Sequence, residues 1–305
     1  MTRLMLLGAD GFVGEHVRTR LAAEPDVEVT TVTRRGDVAA DVRLDLAESA
    51  VAVAHALRDT TPDTVVNCAG STAGDPPSLA ANNLVAVSNL VDAMLTAGRP
   101  LRLVHIGSVA EYGRIPGGEA AREDSPERPV TPYGLTKLAA THVVRTAAAA
   151  GLDAVTLRVT TPIGPGTPSS MLAGRLVGQL RQIEAAGAGG VTTGPLDDVR
   201  DYVDIRDVAD AIVAAAVRPR GQAALPVVLN VGSGVATPTR EMVDALLGLA
   251  GFTGGHRTDG GGSTALPYQH ADVTAARETL GWSPTRSLDD SLAALWFSST
   301  VLAPC

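Results

Sequence analysis

Residues 4 to 14 read Leu-Met-Leu-Leu-Gly-Ala-Asp-Gly-Phe-Val-Gly, four apolar residues running directly into three glycines spaced by three. The apolar run is the length of a short buried strand, and Val17, Leu21 and Ala22 beyond it keep helical spacing. A strand, a glycine turn and a helix in this order leave few folds open. The glycines permit a tight turn, close approach of backbone to a phosphate, and packing of helix on strand, while the helix N-terminus favours an anion. The expected class is α/β, a doubly wound parallel sheet whose first loop (Gly8, Gly11, Phe12, Val13 and Gly14) cradles a pyrophosphate. The spacing is G-x-x-G-x-x-G rather than G-x-G-x-x-G, so the loop read alone also fits an ordinary glycine-rich turn.

The remainder of the first half repeats the alternation. Strands are expected at 27–33, 42–46, 64–69, 101–106 and 154–159, with helices at 79–97 and 131–150 between them, the pattern of right-handed crossovers. The second strand ends in Arg34-Arg35, with no acid before Asp37. An acidic residue here would bind ribose hydroxyls, whereas arginine accommodates a 2′-phosphate, so NADP(H) is the expected cofactor and NAD the alternative. The plainer reading of the two arginines is solvated surface charge. Asp45 and Leu46 are placed against the adenine, and Cys68, Ala69 and Gly70 supply small side chains where the cofactor crosses a strand tip. From residue 160 the pattern loosens. A helix begins near Ser170, and helices at 206–217 and 239–249 and a strand at 227–231 follow; the glycines from Gly254 to Gly262 read as a mobile loop. The expected organisation is a dinucleotide-binding domain over 1–160, its sheet completed by parts of 200–235, interleaved with a substrate lobe over 161–305.

Tyr133 and Lys137 stand four apart in Thr-Pro-Tyr-Gly-Leu-Thr-Lys, and so share a helix face. Thr131 reads as the N-cap and Pro132 as the first helical residue. A free phenol near pKa ~10 is a poor acid or base at neutral pH, and a neighbouring ammonium with the helix dipole is expected to lower it. Taken alone, the pair is an ordinary exposed helical pair; after a strand ending in Ser108 and a dinucleotide signature, it reads as catalytic.

Aromatics make up only 3% of the chain, so the core must be built from Val, Leu, Ile and Ala. A net charge of -8 and a pI near 5.2 argue against nucleic acid or an anionic membrane as partner. Cys68 and Cys305 offer neither a disulfide framework nor a zinc spacing. Gly8, Asp10 and Glu15 break the N-terminal apolar run too early for a signal sequence, and no stretch is long enough to span a bilayer. A cytoplasmic location and a small-molecule substrate are expected.

Assembled in order, these segments resemble the extended short-chain dehydrogenase/reductase family, in its nucleotide-sugar epimerase, dehydratase and reductase branch. The correspondence runs through the glycine turn, Asn67-Cys68-Ala69-Gly70, Ile106-Gly107-Ser108 with Glu111-Tyr112-Gly113, Pro132-Tyr133-Gly134, Leu157-Arg158, Gly164-Pro165-Gly166, Arg200-Asp201-Tyr202, Asp207-Val208-Ala209, Asn230-Val231-Gly232 and Gly281-Trp282-Ser283-Pro284. The resemblance implies a Rossmann domain, Tyr133 as acid/base, Lys137 on the nicotinamide ribose, and Ser108 on the reacting oxygen. It also places Asn83, Ile106 and Pro162 at the cofactor, and Ser71, Thr72, Ser108, Val109, Thr161 and Arg200 at the substrate. Arg200 would meet a sugar-nucleotide diphosphate; the plainer role is an ion pair with Asp201 or Asp204. Thr161 stands where many relatives carry a substrate-contacting Asn. In 4,6-dehydratases Asp-Glu follows the catalytic serine or threonine; here Val109-Ala110 follow, which rejects dehydration. The look is that of 4-keto-6-deoxy sugar nucleotide reductases. A 4-epimerase, a reductase of a non-sugar ketone and a noncatalytic NADP(H)-binding protein are the alternatives. A homodimer through the helices at 79–97 and 131–150 is expected by the same resemblance, although the sheet could take their apolar faces instead.

Overall fold

The computed structural model describes residues 1–35, 39–219, 222, 224–260 and 265–299. Asp37, Gly261, Gly262 and Cys305 lie outside the described residues. In chain order the first half comprises β1 (Thr2–Leu7), α1 (Phe12–Leu21), β2 (Val27–Thr33), β3 (Val42–Arg43), α2 (Ala50–Thr60), β4 (Thr64–Asn67), α3 (Pro76–Ala80), α4 (Ala86–Leu95), β5 (Arg102–Ser108), α5 (Pro132–Ala149) and β6 (Asp153–Val159). The second half runs β7 (Thr161–Ile163), α6 (Leu172–Ala186), β8 (Gly190–Thr193), β9 (Val199–Arg200), β10 (Tyr202–Asp204), α7 (Ile205–Val217), β11 (Val228–Val231), β12 (Thr237–Pro238), α8 (Thr239–Leu249), β13 (Gly255–Thr258), α9 (Thr274–Leu280) and α10 (Leu288–Ser298).

Seven parallel strands form the central sheet in the order β11-β6-β5-β4-β1-β2-β3. Strand order reverses between β1 and β4, and in open α/β sheets that reversal opens a crevice at the carboxyl ends of the strands. β4 and β5 are buried along their whole length, as strands covered on both faces must be. One face packs on α1, α7 and α9 through Val17, Val208, Ile212 and Ala276; the other packs on α2, α4 and α5 through Val53, Leu90 and Val144. A separate core of Leu176, Val177, Leu180, Met242, Leu246, Leu295 and Trp296 holds the later elements together. The chain after residue 160 serves both, since α7, β11 and α9 complete the sheet layer while α6, α8 and α10 build the lobe. Asp207 fastens the C-terminal segment to α7 by accepting hydrogen bonds from the Thr285 amide (3.1 Å), the Thr285 hydroxyl (2.9 Å) and the Arg286 amide (3.0 Å).

Three expectations are corrected. The helix expected at 79–97 begins three residues earlier, because Asp75 caps it through the Ser78 amide (2.8 Å) and Pro76-Pro77 are preset for a first turn. That helix also widens into a π turn at Ala81–Val85, a distortion that recurs at functional sites. The strand expected at 42–46 is only two residues long. The glycine loop expected to be mobile contains β13, which pairs in parallel with β8, and His256 Nε2 bonds Thr193 Oγ1 at 2.9 Å. Among the described residues no helix is long and apolar enough to cross a membrane.

Candidate active site

A cleft of ≈ 310 Å³ opens at the β1/β4 reversal, walled by Gly8, Asp10 and Gly11 on one side and by Arg34, Arg35, Asp45 and Leu46 on the other. Cys68, Ala69 and Gly70 close its end. Gly8 has φ +70, and a side chain there would run 2.7 Å from the Ala69 amide nitrogen. A Cβ on Gly14 would stand 2.0 Å from the Gly8 carbonyl oxygen, so the helix start can lie against the turn only with glycine at both places. Phe12 and Val13, partly buried, pack against the sheet core from the first turn of α1. The cradle therefore fits the pyrophosphate of a dinucleotide: small, rich in amides and set at a helix N-terminus. Gly14→Ala is expected to weaken NAD(P)H binding at least about tenfold in a fluorescence titration, since overpacking shifts the turn itself; unchanged affinity would place the cofactor elsewhere.

The two arginines are engaged but open to the cleft. Arg34 donates to Asn82 Oδ1 at 2.8 Å and lies 3.6 Å from Asp45, while Arg35 Nε meets Asp10 Oδ2 at 2.6 Å. Both side chains stay more than half exposed.

Past Gly70 the same edge of the sheet carries the expected chemistry. A Cβ on Gly70 would stand 3.9 Å from Lys137 Nζ. Thr131 caps α5 by accepting from the Gly134 amide (3.0 Å), with Pro132 at the first helical position, so Tyr133 falls in the first turn. The Ser108 hydroxyl lies close enough to act on the Tyr133 phenol. Ser108 ends β5 and caps a single 3-10 turn over Val109–Glu111, accepting from the Ala110 amide at 3.2 Å.

The electrostatics correct the sequence expectation. Burial holds the Tyr133 phenol above its ordinary pKa, the Ser108 hydroxyl lowers it, and the Glu111 carboxylate raises it further. Lys137 lies buried against the Ile106 carbonyl, to which its ammonium donates, and burial lowers its pKa while Glu111 and Cys68 oppose that fall. Helical spacing had paired the ammonium with the phenol; the backbone oxygen of β5 takes it instead. The phenol consequently stays protonated through the neutral range.

Other expected residues divide. Asn83 is buried in the π turn and donates to the Ser71 carbonyl (2.9 Å) and Thr136 Oγ1 (3.0 Å) while accepting from the Ser71 amide (2.8 Å); it fixes the Gly70–Ser71 turn. Ser71 spends its hydroxyl on the Ala73 carbonyl (2.6 Å), and Thr72 is exposed. Val109 is 2% exposed and packs with Tyr112, Ala121 and Ala271, so its side chain is core rather than a substrate contact.

Thr161, Pro162 and Arg200 meet in a second cavity, beside Met171 and Leu172 at the start of α6. Pro162, placed at the cofactor by the resemblance, stands in a short strand, for Thr161–Ile163 pairs in parallel with Tyr202–Asp204, and it lines this cavity with Thr161 and Arg200. Arg200 pairs with Asp198 at 2.6 Å, not with Asp201 or Asp204. Asp201 instead accepts from the Ser233 amide and hydroxyl, each at 2.7 Å, and Asp204 holds Arg206 at 2.6 Å.

Two signals went unread in the sequence. Lys137 is the sole lysine among the chain's 25 lysines and arginines. Every other cation is an arginine, whose charge cannot be tuned, so a lone lysine marks a position where a titratable ammonium matters. The second is Glu111, three residues after Ser108 in capping-box spacing.

A dinucleotide cradle leading to a tyrosine beside a serine and to a buried lysine defines the class: an NAD(P)-dependent enzyme of the extended short-chain dehydrogenase/reductase type. Residues 4–232 match the NAD dependent epimerase/dehydratase family, and the chain belongs to that family. It is 36% identical to dTDP-6-deoxy-L-talose 4-dehydrogenase (NAD(P)(+)) of Kitasatospora kifunensis, over 96% of this chain and 94% of that protein. Identity to UDP-glucose 4-epimerase of Mycolicibacterium smegmatis is 28%, over 95% and 96%. The solved structure of MoeE5 with UDP-glucose and NAD superposes with a TM-score of 0.82 at 30% identity, covering 97% of each chain.

Proposed function

We propose that this protein is an NADPH-dependent reductase of a 4-keto-6-deoxy sugar nucleotide. The observation that carries the reading is Tyr133, a protonated phenol in the first turn of α5 acted on by the Ser108 hydroxyl, with Ser108 followed by Val109 and Ala110, neither of which can move a proton. Such a site protonates one oxygen and does no elimination chemistry. Reduced nicotinamide supplies the hydride when bound. Ser108 steadies the carbonyl oxygen, Tyr133 gives it a proton, Lys137 holds the ribose, and Arg200 takes the diphosphate. The likeness to a 4-dehydrogenase, which runs the same redox change at the same position of its sugar nucleotide, supports this assignment.

The test is stoichiometry. A dTDP-4-keto-6-deoxy sugar should oxidise one NADPH per turnover. Turnover of a UDP- or dTDP-hexose with no net change at the nicotinamide band would favour the second reading, a 4-epimerase, which the likeness to UDP-glucose 4-epimerase supports.

The cofactor preference rests on Arg34 and Arg35. Charge-assisted hydrogen bonds to a 2′-phosphate are worth about 1.5–3 kcal/mol. Replacing both arginines by alanine should therefore lower the kcat/KM ratio of NADPH over NADH by about 10- to 100-fold. A wild-type preference for NADH, or an unaltered ratio in the variant, rejects the NADPH assignment. The homodimer proposal keeps some support in Val85 and Leu135, which stay 41% and 59% exposed on those helices although most of the apolar face of α4 is spent on the sheet.

A further inference from the structure

We propose that Glu111 is a positioning residue of this active site: one buried carboxylate ties the end of the strand that carries Ser108 to the helix that carries Tyr133 and Lys137. The inference rests on the reductase reading above and adds a residue to which no catalytic part has been given. Glu111 is fully buried. Its Oε1 accepts from the Ser108 amide at 2.8 Å, and its Oε2 accepts from Thr141 Oγ1 at 2.8 Å and from Arg158 Nε at 2.7 Å. Thr141 lies on α5 four residues beyond Lys137, so it shares the lysine's helix face. The tie therefore spans β5, α5 and β6 at the point where hydroxyl, phenol and ammonium must keep register.

Space around the carboxylate has been cleared for it. A Cβ on Gly107 would come 2.7 Å from Glu111 Oε1 and 2.6 Å from Thr156 Cγ2, so glycine is the residue that lets the side chain reach under the strand end. No water-facing role is available to a carboxylate with no exposed surface, and burying one is costly unless it is paired and hydrogen-bonded.

Charge runs along the same path. Around Glu111 stand Arg158 from β6, Thr141 from α5 and the Ser108 amide from β5; the charge also reaches Tyr133 and Lys137. Beyond Arg158 lie Tyr112, 4.4 Å from its guanidinium carbon, and Glu127. Lys137 also faces Cys68 and His105, the latter held neutral by burial. Glu111 sustains the ammonium and the protonated phenol together, so its neutralisation moves both pKa values downward. In the reductive direction both groups act in their protonated forms, and the alkaline limb of kcat should shift to lower pH.

The experiment compares wild type, Glu111→Gln and Thr141→Val. In Glu111→Gln, kcat for the keto sugar nucleotide should fall roughly 10- to 100-fold, the scale of a small misplacement of reacting groups. KM for NADPH should hold within about twofold, on the same argument. Because Lys137 is the only lysine, protein grown on ¹³Cε-lysine gives one signal whose titration reads that ammonium directly. Its midpoint should fall in Glu111→Gln and stay in Thr141→Val, which cuts the tie to α5 but keeps the charge and should lower kcat several-fold. Should Glu111→Gln not fold, the fall of kcat in Thr141→Val at unchanged KM decides the positioning role alone. A lower kcat with the pH limb and lysine midpoint unmoved would make Glu111 merely structural and overturn the proposal. Failure of wild type to turn over any keto sugar nucleotide sinks the reductase reading instead, and the lysine midpoint then decides for or against Glu111.

Discussion

Replacing Tyr133 with phenylalanine is expected to lower kcat for ketone reduction by roughly 10²- to 10⁴-fold, the range contributed by a positioned general acid. The change deletes one oxygen. The ring keeps its place in the first turn of α5, whose cap on Thr131 and proline start do not involve the hydroxyl, so the melting temperature and KM for NADPH should hold. The loss should therefore appear in kcat and in kcat/KM equally, the mark of an interaction made in the transition state. The pH profile adds a sign. Burial raises the phenol above its ordinary pKa and lowers that of Lys137, so the ammonium's limb lies on the acid side of an ordinary lysine's. The reductive rate should fall as pH rises through the lysine's lowered pKa, and the residual rate of the phenylalanine variant should keep that same limb. A variant within about threefold of the parent would remove Tyr133 from the chemistry, because water does not match a positioned acid by that margin.

What the sequence disclosed follows from how local each signal is. β2 and α8 occupy the expected ranges because β-branched repetition in Val27–Thr33 and the apolar spacing of Thr239–Leu249 carry their own ends. Thr131, Pro132 and Tyr133 were legible for the same reason, since a cap and a preset proline are written in adjacent residues. Direction of charge was not. Spacing puts Lys137 beside Tyr133, yet whether the ammonium prefers the phenol or the Ile106 carbonyl depends on a strand 31 residues away. Pairing of Arg200 with Asp198 rather than Asp201 goes with the Asp201 carboxylate being taken by Ser233 and Gly234 more than 30 residues on, and strands of two or three residues leave no periodicity to read. Glu111 sat within a matched motif, but a motif does not say that a carboxylate turns inward to meet an arginine 47 residues on.

That arginine carries the largest expected stability effect. Arg158→Met should destabilise the fold by about 3–5 kcal/mol, the cost of breaking a buried ion pair from one side. Arg158 is fully buried in β6, where its Nε meets Glu111 at 2.7 Å, its Nη2 meets Glu127, and its guanidinium carbon lies 4.4 Å from the Tyr112 ring centroid. Methionine fills much of the volume but leaves the Glu111 carboxylate with the Ser108 amide and Thr141 hydroxyl alone. Glu127 retains Arg145, at 2.6 and 2.8 Å, so the penalty concentrates on Glu111. The double variant Glu111→Gln/Arg158→Met should accordingly be more stable than Arg158→Met, since it removes the orphaned charge; additive losses would mean the two side chains do not act as a pair. Acid offers an independent reading. Arginine holds the Glu127 carboxyl down to about 2, so its contribution is complete above the ordinary carboxylate range and is lost as pH falls toward 2. Arg158→Met removes one of the two guanidiniums responsible, and the acid unfolding midpoint should move upward. An unmoved midpoint would mean that Arg145 alone holds that carboxylate, and the buried chain from Glu127 through Arg158 to Glu111 would then end at the arginine.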